Sequence, residues 1–197
     1  PKRLDAPGGV TFGYEDEVLL MVPVTLPADL AKSGDLKIDA DVSWLVCKTE
    51  CVKGKAKLAI TLPVSTSPGK PAHRELFDTW RARLPVAADS PAAAAALAKV
   101  AQPAAASGAS GTRPSQLDVE WKQAPKKVEW FPVATRAVGI DEVDLRHEGK
   151  TTRIAFKPTV YKPDGVPEGR VDSVLVFEGA DGKRVGVSVP ITVPLAE

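Results

Sequence analysis

Residues 36–62 read LKIDADVSWLVCKTECVKGKAKLAITL, and this stretch contains both cysteines of the chain, Cys47 and Cys51. Apolar and polar side chains alternate on both sides of the cysteines, as in strands with one covered face. The stretch therefore predicts two neighbouring antiparallel strands joined by a turn that carries the cysteines, with Cys47 continuing the polar face. The apolar positions that we expect to point inward are Leu36, Ile38, Ala40, Val42, Trp44, Val46, Ala56, Leu58, Ile60 and Leu62.

Strand patterns also occur on both sides of this stretch. Residues 17–26 (EVLLMVPVTL) are apolar on both alternations, which predicts a strand covered on both faces. Alternation returns in residues 117–121 and again in residues 152–156. Residues 173–178 and 184–193 flank the sequence Gly-Ala-Asp-Gly, a hairpin signal. One face of the last run is formed by Val185, Val187, Val189, Ile191 and Val193.

The middle of the chain has helical patterns instead. Pro85 ends a run in which apolar residues recur at helical spacing. Ser90 and Pro91 are typical of a helix N-cap and first turn, and residues 92–100 favour a helix after them. Residues 101–115 are of low complexity and indicate a flexible linker or an exposed loop. The apolar residues of the first helical run are Leu76, Phe77, Trp80 and Leu84.

These patterns predict a mainly β protein, built from immunoglobulin-like β-sandwich units with a short helical segment between them. The chain has 197 residues, enough for one large or two small domains. We expect a β unit with the cysteine loop over residues 1–66, a helical segment and linker over 67–116, and a second sandwich-like unit over 117–197.

Composition excludes several functional classes. The formal net charge is +1, from 26 basic and 25 acidic residues, which argues against a nucleic-acid-binding surface. No apolar run approaches the roughly 18 residues of a membrane span, so we expect this fragment itself to be soluble. The chain begins at Pro1, which predicts that it is a processed or cut piece. His73 and His147 are distant in sequence, lie among polar residues and are expected at the surface, so no mixed Cys–His zinc site is predicted.

The Cys-x3-Cys spacing between Cys47 and Cys51 allows a small disulfide ring that is easily formed and reduced. Nearby positive charge favours the thiolate form of a thiol. Trp44 and Leu45 could shield the sulfurs from stray oxidants and thiols. The spacing alone leaves three functions open, namely a redox pair, a structural disulfide and soft-metal binding. The charged residues around the loop are Lys48, Glu50, Lys53, Lys55 and Lys57.

Three segments together resemble the periplasmic N-terminal region of DsbD-like protein-disulfide reductases, and specifically the ScsB-like subgroup. They are residues 12–20 (FGYEDEVLL), residues 44–54 (WLVCKTECVKG) and residues 58–63 (LAITLP). The Trp-Phe-Pro sequence at 130–132 and the closing strands are also similar to that group. The resemblance covers most of the chain and is strongest over residues 12–63.

The resemblance implies an extracytoplasmic thiol–disulfide exchange domain, with Cys47 and Cys51 as the redox pair and no cofactor beyond their disulfide. Tyr14, Trp44, Leu45 and Lys48, which lie in the matching segments, would bind partners or shield the pair. Electrons would come from a membrane-embedded domain of the same protein and pass to periplasmic thioredoxin-like or disulfide isomerase proteins. The location implied is the periplasm, as a soluble part of an inner-membrane protein.

The chain departs from that family pattern in three respects. It begins partway through the pattern, so we expect the β unit over residues 1–66 to be incomplete at its N-terminus relative to the family. The membrane domain and the thioredoxin-like domain are absent, so this chain alone would exchange thiols without completing the electron pathway. The Cys-x3-Cys spacing also differs from the longer spacing of the best-known DsbD proteins. Two alternatives therefore stay open: a Cu(I) site at Cys47 and Cys51 linked to copper tolerance, and a docking domain with an inert disulfide.

Overall fold

The protein divides by internal contacts into two compact units. Unit 1 comprises Pro1–Val18 and Phe77–Glu197, and unit 2 comprises Leu19–Leu76. The computed structural model describes residues 1–6, 9–27, 34–48, 50–67, 69–102, 115–133, 135–161 and 169–193.

Strands dominate the described residues, and two short helices interrupt them between β4 and β6. In chain order the elements are β1 (Lys2–Ala6), β2 (Gly9–Gly13), β3 (Gly34–Cys47), β4 (Cys51–Val64), α1 (Arg74–Arg81), β5 (Val86–Ala87), α2 (Pro91–Ala96), β6 (Leu97–Ala101), β7 (Ser115–Trp121), β8 (Lys127–Pro132), β9 (Val138–Glu148), β10 (Thr151–Val160), β11 (Arg170–Val171), β12 (Ser173–Glu178), β13 (Arg184–Ser188) and β14 (Ile191–Thr192).

Unit 1 is a sandwich of two four-stranded sheets. One sheet has the order β6-β7-β10-β9 and the other the order β5-β13-β12-β8, and every pairing except the parallel β5–β13 pair is antiparallel. The predicted hairpin is confirmed, because β12 pairs with β13 across Gly179–Gly182 and Gly182 supplies the positive φ (78°) that the turn requires. The predicted inward face of the last run is confirmed too, since Val187, Ile191 and Val193 are at most 2% exposed.

Two reciprocal aromatic pairs join the sheets through the core of unit 1. Trp121 of the first sheet packs on Phe177 of the second, and Trp130 of the second packs on Phe156 of the first. Both pairs have ring centroids 4.9 Å apart, within the range of favourable aromatic contacts. Each sheet therefore contributes one indole and one phenyl ring to the contact that closes the sandwich.

Each buried indole N–H has a hydroxyl acceptor in a neighbouring strand of its own sheet. Trp130 Nε1 donates to Ser173 Oγ (2.9 Å), and Trp121 Nε1 donates to Thr152 Oγ1 (2.8 Å). Thr152 Oγ1 also lies 2.8 Å from Nδ1 of His147, whose Nε2 lies 3.0 Å from the carbonyl oxygen of Pro125. Because a carbonyl only accepts, Nε2 carries the proton. The expectation of a solvent-exposed His147 is therefore wrong.

The first eighteen residues group with unit 1, whereas the sequence analysis placed them with the cysteine loop. The antiparallel β1–β2 hairpin lies on the outer face of the second sheet, where Phe12 meets Phe131 edge-on at 5.2 Å. Arg184 donates to the carbonyl oxygen of Pro1 (3.0 Å). Lys2 binds Glu15, and this hydrogen bond and charge raise the pKa of Lys2. Strand alternation within 1–18 gives no indication of which sheet the hairpin covers.

Unit 2 is built on the long β3–β4 hairpin, which confirms the two predicted antiparallel strands. The predicted apolar face is in register, because Ile38 lies opposite Ile60 and Ala40 opposite Leu58. The expected burial of that face is wrong, since Leu58 is 58% and Ile60 53% exposed. Among the described residues of unit 2, no second sheet layer covers the hairpin.

Trp44 packs across the hairpin on a residue without a side chain. Gly54 lies directly opposite Trp44, and a Cβ added to Gly54 would lie 2.2 Å from Cε2 of the indole. No real Cβ approaches another atom so closely, so the indole occupies the space that a side chain at position 54 would fill. The ring therefore lies flat against the hairpin, and 45% of Trp44 stays exposed.

The strand predicted over residues 17–26 is wrong. These residues form no strand, and Leu20 and Val22 are 66% and 79% exposed. Pro23 lies at the centre of the segment, where it removes an amide donor that a central strand would need. No described strand pairs with this segment, so its apolar composition did not indicate a sheet.

The two predicted helices form, but the second is shorter than its composition indicates. Ser90 caps α2 by accepting from the amide of Ala93 (3.2 Å), as predicted. The helix then ends at Ala96, and Leu97–Ala101 forms β6 instead of continuing it. Pairing with β7 buries Leu97 to 8% exposure opposite Trp121, which outweighs the helix propensity of these residues. Most of the predicted linker, residues 103–114, lies outside the described residues.

The predicted fold class is confirmed: the described chain is mainly β, it contains a two-sheet sandwich, and its helical segment is short. None of the helices in the described residues is long and apolar enough to cross a membrane.

Replacing Thr152 with valine should lower the free energy of unfolding by about 2 kcal/mol. Valine keeps the shape of threonine but leaves the indole N–H of Trp121 and the ring of His147 without their shared partner. Urea unfolding measures the loss. Thr151→Val, at the exposed neighbouring position, is the matched control and should change stability little. Equal effects of the two substitutions would contradict the assigned role of Thr152.

Replacing Gly54 with alanine should displace Trp44 from the hairpin, since the new methyl group would overlap the indole. The indole N–H resonance of Trp44 in a two-dimensional NMR spectrum reports this displacement. Gly69→Ala is the control in the same unit, because a Cβ at position 69 meets nothing within 4 Å. An unchanged Trp44 resonance in Gly54→Ala would show that the indole does not rest on Gly54 in solution.

Candidate functional site

Cys47 and Cys51 form a disulfide at the turn end of the β3–β4 hairpin. Cys47 is the last residue of β3 and Cys51 the first of β4, and the two lie directly opposite in the register. Their Cα atoms are 4.1 Å apart, and the sulfurs are bonded at 2.08 Å. The amide of Lys48 donates to the carbonyl oxygen of Glu50 (3.2 Å) within the connecting turn. Both cysteines are exposed, so an external thiolate can reach the sulfurs.

Strand alternation assigns the cysteines to one face of the hairpin, which we call the cysteine face. The first pair of opposite residues after the disulfide on this face is Leu45 and Lys53. Trp44, Val46, Val52 and Gly54 belong to the other face. The next pairs on the cysteine face are Ser43 with Lys55 and Asp41 with Lys57.

Charge on the cysteine face is uneven along the hairpin. Far from the disulfide the lysines are paired: Lys57 lies 3.7 Å from Asp41, and Lys37 lies 3.3 Å from Asp39. Close to it, the turn and the first two pairs carry three lysines that form no ion pair within the described part of the chain. These three residues are Lys48, Lys53 and Lys55. Only Glu50, in the turn, opposes them in charge at this end.

The predicted site residues occupy different places. Leu45 lies on the cysteine face next to the disulfide and is 60% exposed, and Lys48 follows Cys47 in the turn. Trp44 lies on the opposite face, over Gly54. Tyr14 belongs to unit 1, directly after β2, and is 57% exposed. Of the four residues predicted to bind partners or shield the cysteines, the hairpin itself therefore brings Leu45 and Lys48 next to the disulfide.

Gly54 has a role that was not predicted from the sequence. Its signal is the register itself, because pairing Cys47 with Cys51 places position 44 opposite position 54. A tryptophan opposite a glycine predicts that the ring covers the glycine backbone. Gly54 thus determines where the aromatic ring nearest to the disulfide lies.

The only thiolate ligands that a soft metal could use are those of Cys47 and Cys51. Within the described residues, no group of three or more His, Cys, Asp or Glu side chains is arranged to hold a metal ion. The Cu(I) alternative, with two thiolates from the reduced pair, stays a prediction.

Comparison with known proteins gives one match, and it is structural. No protein-family model matches the chain. No curated protein matches it either. A crystal structure of the N-terminal periplasmic domain of ScsB from Proteus mirabilis superposes with a TM-score of 0.62 at 15% sequence identity. The match covers 98% of this chain and 70% of that one. The resemblance to ScsB that the sequence predicts is thus confirmed at the level of architecture, and the chain has the fold of that periplasmic domain.

Proposed function

We propose that this chain is a thiol–disulfide exchange domain whose redox centre is the Cys47–Cys51 disulfide. The observation that carries the proposal is an exposed disulfide between two opposite residues at the end of a hairpin. A disulfide that only stabilised the fold would gain most by closing a long loop, and this one closes a loop of five residues. The fold shared with the ScsB periplasmic domain supports the same function.

The exchange proceeds in two displacement steps that conserve electrons. In the reduced domain, one cysteine thiolate attacks a partner disulfide, so a mixed disulfide forms and the departing partner sulfur takes a proton from water. The second cysteine then attacks the mixed disulfide as a thiolate. The Cys47–Cys51 bond forms, and the second partner sulfur leaves and is protonated. Two electrons pass to the partner, and an upstream dithiol must return two electrons to the domain before the next cycle.

The local residues contribute to these steps in different ways. Lys48 in the turn and Lys53 on the cysteine face stabilise the thiolate that attacks, because both are cations close to the sulfurs. Leu45 lies next to the disulfide on the same face and limits the approach of small thiols from that side. Trp44 and Tyr14 are proposed as partner contacts outside the cysteine face.

The partners follow from the same proposal. The upstream dithiol would belong to a membrane-embedded electron-transfer domain, and the downstream partner would be a disulfide-bonded periplasmic protein of the thioredoxin-like or isomerase class. The proposed location is the periplasm, where the ScsB domain of matching fold resides.

The reduction potential of the Cys47–Cys51 pair should lie between roughly −120 and −270 mV, the range of exchange proteins. Equilibration with glutathione or dithiothreitol buffers measures it, with the Cys47→Ser/Cys51→Ser double variant as the blank. A potential below about −300 mV would mark a structural disulfide and would support the inert docking domain instead.

One of the single variants Cys47→Ser and Cys51→Ser should accumulate a mixed disulfide with a disulfide-bonded substrate peptide, because the resolving thiol is missing. Non-reducing electrophoresis and mass spectrometry detect the adduct. Multiple turnover should be lost in both variants. Full reductase turnover by either variant would exclude the two-cysteine mechanism, and circular dichroism checks that both variants stay folded.

A further inference from the structure

The cations of the cysteine face are concentrated at its disulfide end. Lys53 and Lys55 are two and four residues beyond Cys51 on β4, so their Cα atoms lie about 7 and about 13 Å from it along the strand. Both point to the same side as the cysteines. At the distal end, Lys57 and Lys37 are neutralised by aspartates at 3.7 and 3.3 Å. The net positive charge of the cysteine face therefore increases toward the sulfurs.

The two lysines nearest to Cys51 on β4 differ from Lys57 in the residues that lie opposite them. Lys53 lies opposite Leu45, and Lys55 lies opposite Ser43, so neither has the cross-strand carboxylate that Lys57 has in Asp41. A shallow depression of about 450 Å³ lies farther along the hairpin and is lined by Asp41, Val42, Ser43, Lys55, Ala56 and Lys57. Lys55 borders this depression, Lys53 lies between it and the disulfide, and neither lysine forms an ion pair within the described part of the chain.

We infer that the cysteine face selects partners whose disulfide is flanked by acidic side chains. The inference rests on the proposed exchange function and names the substrate class of that site. A partner must bring its sulfur to within bonding distance of Cys47 or Cys51, which places its neighbouring residues over Lys53 and Lys55. Carboxylates there pair with the two ammonium groups, whereas basic residues meet unpaired like charges. Complementary charge of this kind mainly raises the association rate and suppresses wrong partners.

The test compares two synthetic peptides with the same intramolecular disulfide ring, one flanked by aspartate and glutamate and the other by lysine and arginine. The dithiothreitol-reduced full chain, freed of excess reductant, supplies the two electrons in a single turnover. Acid quenching and mass spectrometry give both rates. At about 20 mM salt the acidic peptide should react about tenfold faster, and the ratio should approach one at about 500 mM salt, where charges are screened.

Two double variants that lose the same charge show which lysines cause the preference for the acidic peptide. Lys53→Gln/Lys55→Gln should reduce the acidic-to-basic rate ratio toward one. Lys37→Gln/Lys57→Gln removes the same charge from the paired distal end of the same face and should keep most of the ratio. The ratio is the informative quantity, because a change in thiolate reactivity alters both rates alike and leaves their ratio unchanged.

The possible results distinguish failure of the acidic-partner inference from failure of the proposed exchange function. Equal rates for both peptides, or equal effects of the two double variants, would overturn the acidic-partner inference and leave disulfide exchange intact. Failure to reduce either peptide or oxidised glutathione would overturn the exchange function and the inference with it.

Discussion

The register of the β3–β4 hairpin is the constraint on which the candidate site depends. Because Cys47 lies opposite Cys51, every further pair along the hairpin is determined, from Trp44 over Gly54 to Asp41 beside Lys57. A shift of one residue would exchange the two faces and separate the cysteines. The disulfide and the pairing of fourteen-residue strands therefore specify one another, and the same pairing places near the cysteines lysines that form no ion pair with any described residue.

The two units meet the requirement for burial in different ways. Unit 1 has a closed core in which Trp121 and Trp130 each cross to the opposite sheet, and each buried indole N–H finds a hydroxyl in its own sheet. In unit 2 the hairpin keeps its apolar positions half exposed, with Ile60 53% accessible. The exposed hairpin suits the proposed exchange function, because a disulfide that another protein attacks has to be accessible.

The proposed exchange function and the charge pattern are linked through the same lysines. Cations next to a thiol favour the thiolate that attacks, and cations facing solvent attract an acidic partner. Lys57 and Lys37 contribute little to thiolate stabilisation or to the attraction of an acidic partner, because Asp41 and Asp39 neutralise their charges. The position of the aspartates on β3 therefore decides which lysines of the face act on the disulfide.

The sequence by itself determined the β3–β4 hairpin and the strands that contain residues 117–121, 152–156, 173–178 and 184–188, because strand alternation is a local signal with a period of two residues. The cap at Ser90 was equally local. The register that sets Cys47 opposite Cys51 came from the structure. Only the tertiary structure decided that Leu97–Ala101 leaves the helix to pair with β7, that residues 17–26 stay outside any sheet, and that His147 binds Thr152. It also decided that the first hairpin covers unit 1. These outcomes depend on which distant surface a segment meets, and neither propensity nor periodicity contains that information.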